Sequence, residues 1–448
     1  MRGTAVAGLI LGLGAGPAVA EDLTTIYRDA LQQDPVYAGA KSSYVAAKEK
    51  LPQGRALFLP NVNATANANF NNFSANYSQG SLPAPGSNVP GSASYPSYGA
   101  GLNVTQPLFR PQNYSLYDQA QIQVAQAESQ LAFSGQDLIA RVAQAYFDVL
   151  LSEYNLVTVR AQKAATAEQL AQAKRNFQVG TATITDTYDA QARFDLVNAQ
   201  EITAVNDIEV KRRALQQIIG RLPGPLARPQ ENMVLSSPEP NDMEAWVQAA
   251  YSNSLQVQIA KANLDLSGKE VERSRFAHYP TIDAVGTANY LNQNNSQLGY
   301  GQALTNLAIG VQLNLPIYQG GALSSKVREA IANKSKSEED YENARRTVAQ
   351  NVRQSFLAVN TGLAEIEALK QAVASNRLSV DASKLGQEVG VRTQVDVLNA
   401  QQLLYSAQRD LARAYYAAIL AQIRLKQAVG RLTPVDLDNV NRLLRPTP

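Results

Sequence analysis

The chain has 448 residues, and its 40 Lys and Arg residues nearly balance its 38 Asp and Glu residues. A chain of this length ordinarily contains two or three globular domains. The small net charge argues against a nucleic-acid partner, because proteins that bind nucleic acid usually carry a basic surface. Cysteine is absent, which excludes disulfides, thiolate metal sites and a lipid anchor on an N-terminal cysteine.

The N-terminal residues have the pattern of a secretory signal peptide. Arg2 supplies the positive charge, Ala5 to Leu13 the apolar stretch, and Ala18-Val19-Ala20 a cleavage site before Glu21. The rest of the sequence has no run of about 20 apolar residues and therefore predicts no transmembrane helix. If the mature chain spans a membrane, it must do so with β-strands that close into a barrel.

The first half begins with a helical pattern from about Asp22 to Phe58, which is broken near Asp34-Pro35 because proline disfavours helix at the residue before it. From Val62 to Phe70, small or apolar residues alternate with polar ones, as is typical of a strand. The stretch from Ser78 to Pro96 is rich in Gly, Pro, Ser and Tyr and predicts a long exposed loop. A second alternating segment, Tyr98 to Leu108, predicts another strand.

The second half repeats this order. A helical pattern from about Asp242 to Phe276 leads to two alternating segments, Thr281 to Leu291 and Leu304 to Leu315. Each half then continues with a very long segment that lacks internal proline, 111–179 in the first and 320–389 in the second. Each would form a helix roughly 100 Å long at about 1.5 Å per residue, and such lengths are typical of coiled coils.

A similar motif ends both long helices, Phe177 to Asp186 in the first half and Gln387 to Asp396 in the second. Each motif stops a helix at a glycine and starts another helix within a few residues. The second helices close at Ile219-Gly220-Arg221-Leu222 and at Val429-Gly430-Arg431-Leu432. An internal repeat on this scale predicts two copies of one architectural unit.

The repeat predicts the domain organisation. Residues 1–20 are the signal peptide, 21–222 the first structural repeat, 223–241 a proline-rich connector, 242–432 the second repeat and 433–448 a tail without a strong pattern.

The last long helix has a heptad pattern, in which spacings of three and four alternate and favour left-handed supercoiling. Its two series are Val397, Leu404, Leu411, Ala418, Leu425 and Leu432, and Ala400, Ala407, Ala414, Ala421 and Ala428. The first half has a looser seam of Thr187, Ala190, Phe194, Val197, Ala204, Ile208, Leu215 and Ile218. Glu201 and Lys211 interrupt that seam.

Four strand candidates of about ten residues each suit a tilted crossing of a bilayer, but the smallest single-chain membrane barrels use about eight strands. Unpaired strand edges in lipid cost several kcal/mol for each backbone group. The chain must therefore associate with copies of itself if these strands span a membrane. Two copies would supply eight strands and three would supply twelve, and the sequence by itself does not choose between these numbers. A soluble β-patch with surface tyrosines is the alternative.

With these features, the chain resembles the TolC-type outer-membrane efflux and type I secretion channels over essentially its mature length. The tip motifs carry most of the resemblance, together with Phe58-Leu59-Pro60 and Gln106-Pro107-Leu108-Phe109 at the strand boundaries. It implies a mainly α-helical homotrimer with membrane β-structure: a 12-stranded transmembrane β-barrel in the outer membrane, continued by a long coiled-coil α-helical barrel in the periplasm. It also implies a tip that opens when a periplasmic adaptor (membrane fusion) protein and an inner-membrane transporter of the ABC, RND or MFS type dock.

The resemblance also assigns roles to residues at the tip. Arg392 matches an arginine that bonds to a threonine and an aspartate, here Thr185 and Asp186, and so latches the tip closed. A guanidinium can donate to a carboxylate and a hydroxyl at the same time. The latch tyrosine of the family is Gln387 in this chain, which puts the aromatic contribution in doubt. Gly180 and Gly390 are expected to form the tip turns.

The resemblance also implies a narrow constriction of the channel near the tips, which in the family is lined by two rings of aspartates. Asp396 matches the first, whereas Asn399 replaces the second. A trimer would then present three carboxylates instead of six. Because carboxylate rings favour cations, we expect weaker cation preference and weaker blockade by multivalent cations.

Three other functions compete with this hypothesis. An enzyme is disfavoured because no HExxH, Walker A, GxSxG or dinucleotide motif has the required context, and His278 lies at a helix-to-strand transition; no catalytic residue, cofactor or metal is therefore expected. A soluble periplasmic scaffold or adaptor would leave the strand pairs unexplained. A diffusion porin would need many more strands and fewer helical residues.

Overall fold

The computed structural model describes residues 20–74, 92–229, 233–295 and 300–445. The predicted signal peptide lies outside these ranges, except for Ala20. The helices are α1 (Leu23–Gln33), α2 (Pro35–Lys48), α3 (Lys50–Ala56), α4 (Pro111–Gln178), α5 (Ile184–Ile219), α6 (Met243–Asn253), α7 (Leu255–Phe276), α8 (Ala322–Glu388), α9 (Gln394–Val429) and α10 (Pro434–Asn441). The strands are β1 (Asn61–Ser74), β2 (Ser92–Phe109), β3 (Arg228–Pro229), β4 (Thr281–Gln293), β5 (Gln302–Asn314) and β6 (Leu444–Arg445).

The long helices and the four main strands lie where the sequence predicts them, so the mainly helical fold is confirmed. Helices α4 and α8 contain 68 and 67 residues, and α5 and α9 contain 36 residues each. In the described part of the chain, no helix is both long enough and apolar enough to cross a membrane.

The predicted helix over 242–276 is wrong in one respect, because it is broken at Ser254. This residue is extended (φ −62°, ψ 124°) and ends α6, and its N–H donates to the carbonyl of Ala250. Asp34 has nearly the same backbone angles between α1 and α2, where a proline follows. The second break has no proline, which is why the sequence pattern did not reveal it.

Two predicted irregular segments contain regular structure. The predicted loop extends to Pro96, but β2 already begins at Ser92, whose partner in β1 is Ser74; residues 78–91 of that loop lie outside the described ranges. The predicted tail contains α10, which begins with a proline and buries Leu437 completely. Strand β6 then pairs with β3 from the predicted connector. Long-range pairing orders these segments, and the local sequence pattern does not report it.

Contacts divide the chain into two compact units. Unit 1 comprises Met1–Ser42, Ser129–Gln258 and Asn343–Pro448, and unit 2 comprises Ser43–Glu128 and Ile259–Glu342.

The core of unit 1 is centred on aromatic residues of α4. Tyr146 and Phe147 are fully buried, and the Phe147 ring lies 5.4 Å from that of Tyr416 in α9. The Tyr146 hydroxyl donates to the carbonyl of Ala227 at 2.9 Å, which satisfies its polar end. Burial raises the pKa of Tyr146 far above its ordinary value, so its hydroxyl stays protonated.

The heptad seams are buried as predicted. In α9, Val397, Ala418 and Leu425 are almost fully buried, and the remaining seam positions are buried or half-buried. In α5, the two residues that interrupt the seam form ion pairs with α4. Glu201 accepts from Arg160 and Lys163, and Lys211 lies 3.6 Å from Asp148. The interruptions are therefore places where charge pairing replaces apolar packing.

The four main strands form one antiparallel sheet in unit 2, in the order β1-β2-β4-β5. Its register aligns residues of similar character across all four strands. One ladder joins Val62, Val104, Gly286 and Ile309, and the next ladder on the same face joins Ala64, Leu102, Ala288 and Leu307. Between them, a ladder on the opposite face joins Asn63, Asn103, Thr287 and Ala308. The sheet therefore has one apolar face and one face of mostly polar or small side chains.

Neither edge strand of this sheet is covered by the described residues. Every residue of β1 from Asn61 to Phe70 is exposed, and so is β5 from Ala303 to Asn314. Ile309, on the apolar face of the sheet, is 86% exposed to solvent. Single chains in water rarely leave an edge strand and an apolar face open together, because such a surface aggregates.

Gly430 ends α9 with a φ of +80°, and a methyl group at this position would overlap the carbonyl oxygen of Asn253. Gly390 has a similar φ of +78°, but a methyl group there would meet no neighbouring atom within 4 Å. We expect Gly390→Ala to cost about 1–2 kcal/mol for the left-handed backbone. Gly430→Ala should cost about 1–3 kcal/mol more, because it also overpacks a backbone contact.

Thermal melting of the far-ultraviolet circular dichroism of the purified protein measures both changes. Gly268→Ala is the control, since Gly268 lies within α7 with nothing near its missing side chain. Equal melting temperatures for the Gly430 and Gly390 variants would contradict the steric argument.

Candidate functional site

The candidate site comprises the two hairpin tips of unit 1, tip 1 (Phe177 to Asp186) and tip 2 (Gln387 to Asp396). In tip 1, α4 ends at Gln178, and Gly180 follows with a φ of +77°. The backbone N–H of Thr181 donates to the carbonyl of Asn176 at 2.8 Å. The left-handed glycine thus lets the chain turn while the last carbonyls of α4 remain bonded.

Helix α5 starts with a reciprocal cap. Thr183 accepts a hydrogen bond from the backbone N–H of Asp186, and the Asp186 carboxylate accepts from the backbone N–H of Thr183 at 2.9 Å. This arrangement satisfies two backbone donors that would otherwise be unpaired at the start of the helix.

Tip 2 has the same construction. Gly390 turns the chain after α8, and the N–H groups of Val391 and Arg392 both donate to the carbonyl of Gly386, at 2.9 and 3.1 Å. Thr393 and Asp396 form the cap of α9, and the Asp396 carboxylate accepts from the Thr393 N–H at 2.9 Å. Each tip therefore forms its turn and cap bonds within itself.

The predicted latch residues lie at these tips, but the single chain does not join them. Among the described residues, no hydrogen bond connects Arg392 with Thr185 or Asp186. The first part of the exposed Arg392 side chain instead lies against Gly386 in the last turn of α8, where an added methyl group would lie 2.7 Å from the Arg392 Cγ. Thr185 is exposed in the first turn of α5, and Gln387 is half-buried in the last turn of α8. The latch stays a prediction.

Asp396 and Asn399, the predicted constriction residues, have different surroundings. The hydrogen bonds that Asp396 accepts from the backbone and side chain of Thr393 lower the pKa of its carboxyl, which is therefore ionised at neutral pH. Asn399 lies one turn further along α9, and its side-chain oxygen accepts from Arg193 of α5 at 2.6 Å. The same guanidinium donates to Gln402 at 2.9 Å.

The sequence patterns did not identify the polar contacts between the hairpins, two of which lie near the tips. One is the Arg193 contact just described. The other is made by Gln394, which is buried at the start of α9 and donates to the carbonyl of Gln169 in α4 at 2.8 Å. An unexpected glutamine in the first turn after the cap could have signalled this contact. Arg193 is one of many charged residues on α5, and nothing in the heptad pattern distinguishes it.

Because each tip caps its own helix, removal of one cap should loosen only that tip. Thr393→Ala removes the hydroxyl of the α9 cap, and such changes typically cost about 1 kcal/mol. We expect about fivefold faster amide hydrogen exchange over 389–398, with no change over 179–188. Thr183→Ala is the matched variant and should have the reverse effect. Faster exchange in both tips from either variant would show that the caps are coupled.

Comparison with known proteins bears on what these tips belong to. The curated relatives include the outer membrane protein TolC of Vibrio cholerae, which is 33% identical over 437 residues, or 97% of this chain and 96% of the relative. They also include the proteases secretion protein PrtF of Dickeya chrysanthemi, 28% identical over 96% of this chain and 92% of the relative.

A solved structure has the same fold. The crystal structure of the Campylobacter jejuni CmeC outer membrane channel superposes with a TM-score of 0.77, covering 94% of this chain and 89% of that chain at 16% identity.

The family model described as outer membrane efflux protein matches residues 26–221 and 246–431, which together make up most of the sequence. Its two matched segments contain both hairpins and both tips. The chain belongs to the outer membrane efflux protein family.

Proposed function

We propose that the chain is one subunit of an outer-membrane channel that serves as an exit duct for drug efflux, for type I protein secretion, or for both. The relatives support this proposal, since their printed names describe outer membrane, efflux and secretion proteins. The open sheet of unit 2 carries the proposal physically, because its exposed apolar face and its unpaired edges need a lipid environment and neighbouring strands.

The sheet has the features of a segment of a larger barrel wall. Its apolar ladders would face lipid, and its Asn- and Thr-containing face would look into a watery lumen. The free edges of β1 and β5 would pair with β5 and β1 of neighbouring copies, so that no backbone group stays unpaired in the membrane. The resemblance to the family implies a twelve-stranded wall, which three copies of this four-stranded sheet would supply, and on that ground we propose a homotrimer.

In this trimer, the helical hairpins would continue the barrel as a periplasmic tunnel. Each chain would contain two repeats, residues 21–222 and 242–432, which the connector 223–241 joins. A signal peptide over 1–20 would precede them. The segment after residue 432, which contains α10 and β6, would be a folded part of unit 1 and not a free tail. At each tip, a glycine follows the end of one helix and a Thr–Asp cap starts the next. This construction suits a hairpin end that moves as a unit.

Energy for transport would come from partners, because a passive duct needs no catalytic group of its own. The proposed partners are a periplasmic adaptor and an inner-membrane transporter of the ABC, RND or MFS type. In the closed tip, Arg392 of one hairpin would bond to Thr185 and Asp186 of a neighbouring hairpin. The side-chain amide of Gln387 would hydrogen-bond at the position of the latch tyrosine of the family. The Asp396 ring, with Asn399 beside it, would line the constriction.

Cysteine crosslinking tests the shared wall. Because the chain has no native cysteine, every disulfide must come from the introduced residues. Asn63→Cys in β1 is combined in turn with Cys at Gly310, Gln312 or Asn314 in β5, three positions on the same face of the sheet. Oxidation in membranes should produce dimers and trimers on denaturing gels for at least one of the three combinations.

The control combines Asn103→Cys with Thr287→Cys, which are direct partners within the chain and should give only a crosslinked monomer. A detergent-free soluble monomer that never forms intermolecular disulfides would support a periplasmic scaffold and refute the channel.

The latch is tested by Arg392→Ser. Loss of the guanidinium should raise the conductance of the closed pore and sensitise cells to large antibiotics, because the bonds that hold neighbouring tips together are lost. Arg377→Ser is the matched control. Like Arg392, Arg377 is exposed, but it lies within α8, about ten residues before the tip. With trimer and surface expression equal, unchanged conductance would remove Arg392 from the mechanism.

A further inference from the structure

We infer that Arg193 sets the charge of the pore at the level of Asn399 and so opposes the cation preference of the Asp396 ring. This inference rests on the proposed channel function. Its basis is the contact between α5 and α9, in which one guanidinium donates to Asn399 at 2.6 Å and to Gln402 at 2.9 Å.

Both acceptors of Arg193 are neutral amides. Among the described residues, no carboxylate lies within ion-pair distance of its guanidinium. The acidic residues near it on α5 are Asp186, Asp189 and Asp195. Asp186 accepts from Thr183, and Asp195 accepts from Gln191 at 3.0 Å. Asp189, about one turn before Arg193, is exposed and forms no ion pair with it in the part of the chain that the structure describes. An arginine stays protonated at any physiological pH, so Arg193 keeps a full positive charge at this point.

The residue at position 399 decides whether that charge is cancelled. An aspartate there would form a salt bridge with Arg193, and the pair would be neutral. Asparagine holds the guanidinium in place by the same oxygen but supplies no negative charge. Asn399 therefore does more than remove a carboxylate ring, because it leaves the positive charge of Arg193 uncompensated.

The geometry brings the two charges of each subunit close to one another. Asp396 and Asn399 are separated by three residues, or about 4.5 Å along the axis of α9. In a trimer, three carboxylates at one level would be followed by three guanidinium groups at the next. A cation attracted by the first ring would meet the repulsive field of the second, which weakens both its selection and its binding.

Single-channel recording of the full-length protein in planar lipid bilayers, with a KCl gradient, tests this inference. Arg193→Gln keeps a hydrogen-bonding side chain but removes the charge, and should raise the cation-to-anion permeability ratio about two- to fivefold. Asn399→Asp should raise the ratio by a similar factor, since it neutralises the same charge. The double variant should exceed either single variant, because its three added carboxylates are no longer paired.

Two further variants separate charge from structure. Arg193→Lys keeps the charge without the fork of donors and should retain the wild-type ratio. Arg213→Gln removes the same charge from the same helix about 30 Å away, where Arg213 bonds to Gln216, and should also leave the ratio unchanged. The effect of Arg193→Gln should shrink in molar salt, where the Debye length is about 3 Å.

The possible failures are distinguishable. If the wild type forms no channels in the bilayer, the proposed function fails. If it forms channels and Arg193→Gln has the permeability ratio of Arg213→Gln, the inference is wrong while the channel function stands. A change in Arg193→Lys as large as that in Arg193→Gln would overturn the inference in favour of a purely structural contact.

Discussion

A hydrogen-bonded sheet can end safely in water, where solvent satisfies its outer backbone groups, but not in lipid, where nothing does. The sheet of unit 2 has apolar ladders on one face and edge strands that no described residue covers. An open edge and an exposed apolar face are disfavoured in a water-soluble single chain, and they suit the shared wall proposed above. In that proposal, the number of subunits depends on how many copies are needed to pair these edges.

The long helices of unit 1 are stabilised in a different way. Very long helices need continuous burial along their length, and the seams of α5 and α9 provide it in different ways. The seam of α9 alternates alanine with larger residues, whereas that of α5 is interrupted by Glu201 and Lys211, whose ion pairs with α4 compensate for the lost apolar contact. Exposed ion pairs of this type stabilise weakly, so their main effect is to keep the charged residues tolerable within the seam.

The tips form backbone bonds of their own, and side-chain bonds connect the two hairpins near them. Each tip closes its own backbone bonds through a left-handed glycine and a Thr–Asp cap. Near the tips, side-chain hydrogen bonds from Arg193 and Gln394 connect the two hairpins of one chain. A hairpin end of this construction can keep its turn and cap bonds while side-chain bonds to the other hairpin break, which suits the gate proposed above.

The sequence by itself determined the parts of this protein that depend on local periodicity. Proline-free stretches gave the bounds of α4 and α8, alternation gave the four main strands, and the heptads of Val397 and Ala400 gave the buried seam of α9. The two tips were visible because each motif ends one helix at a glycine and starts another within a few residues. Contacts between distant segments were beyond such reasoning, since no local pattern encodes the partner of a side chain. The break at Ser254, the pairing of β3 with β6, the register that aligns the faces of the four strands, and the contact of Arg193 with Asn399 were decided only when the chain folded and brought remote residues within bonding distance.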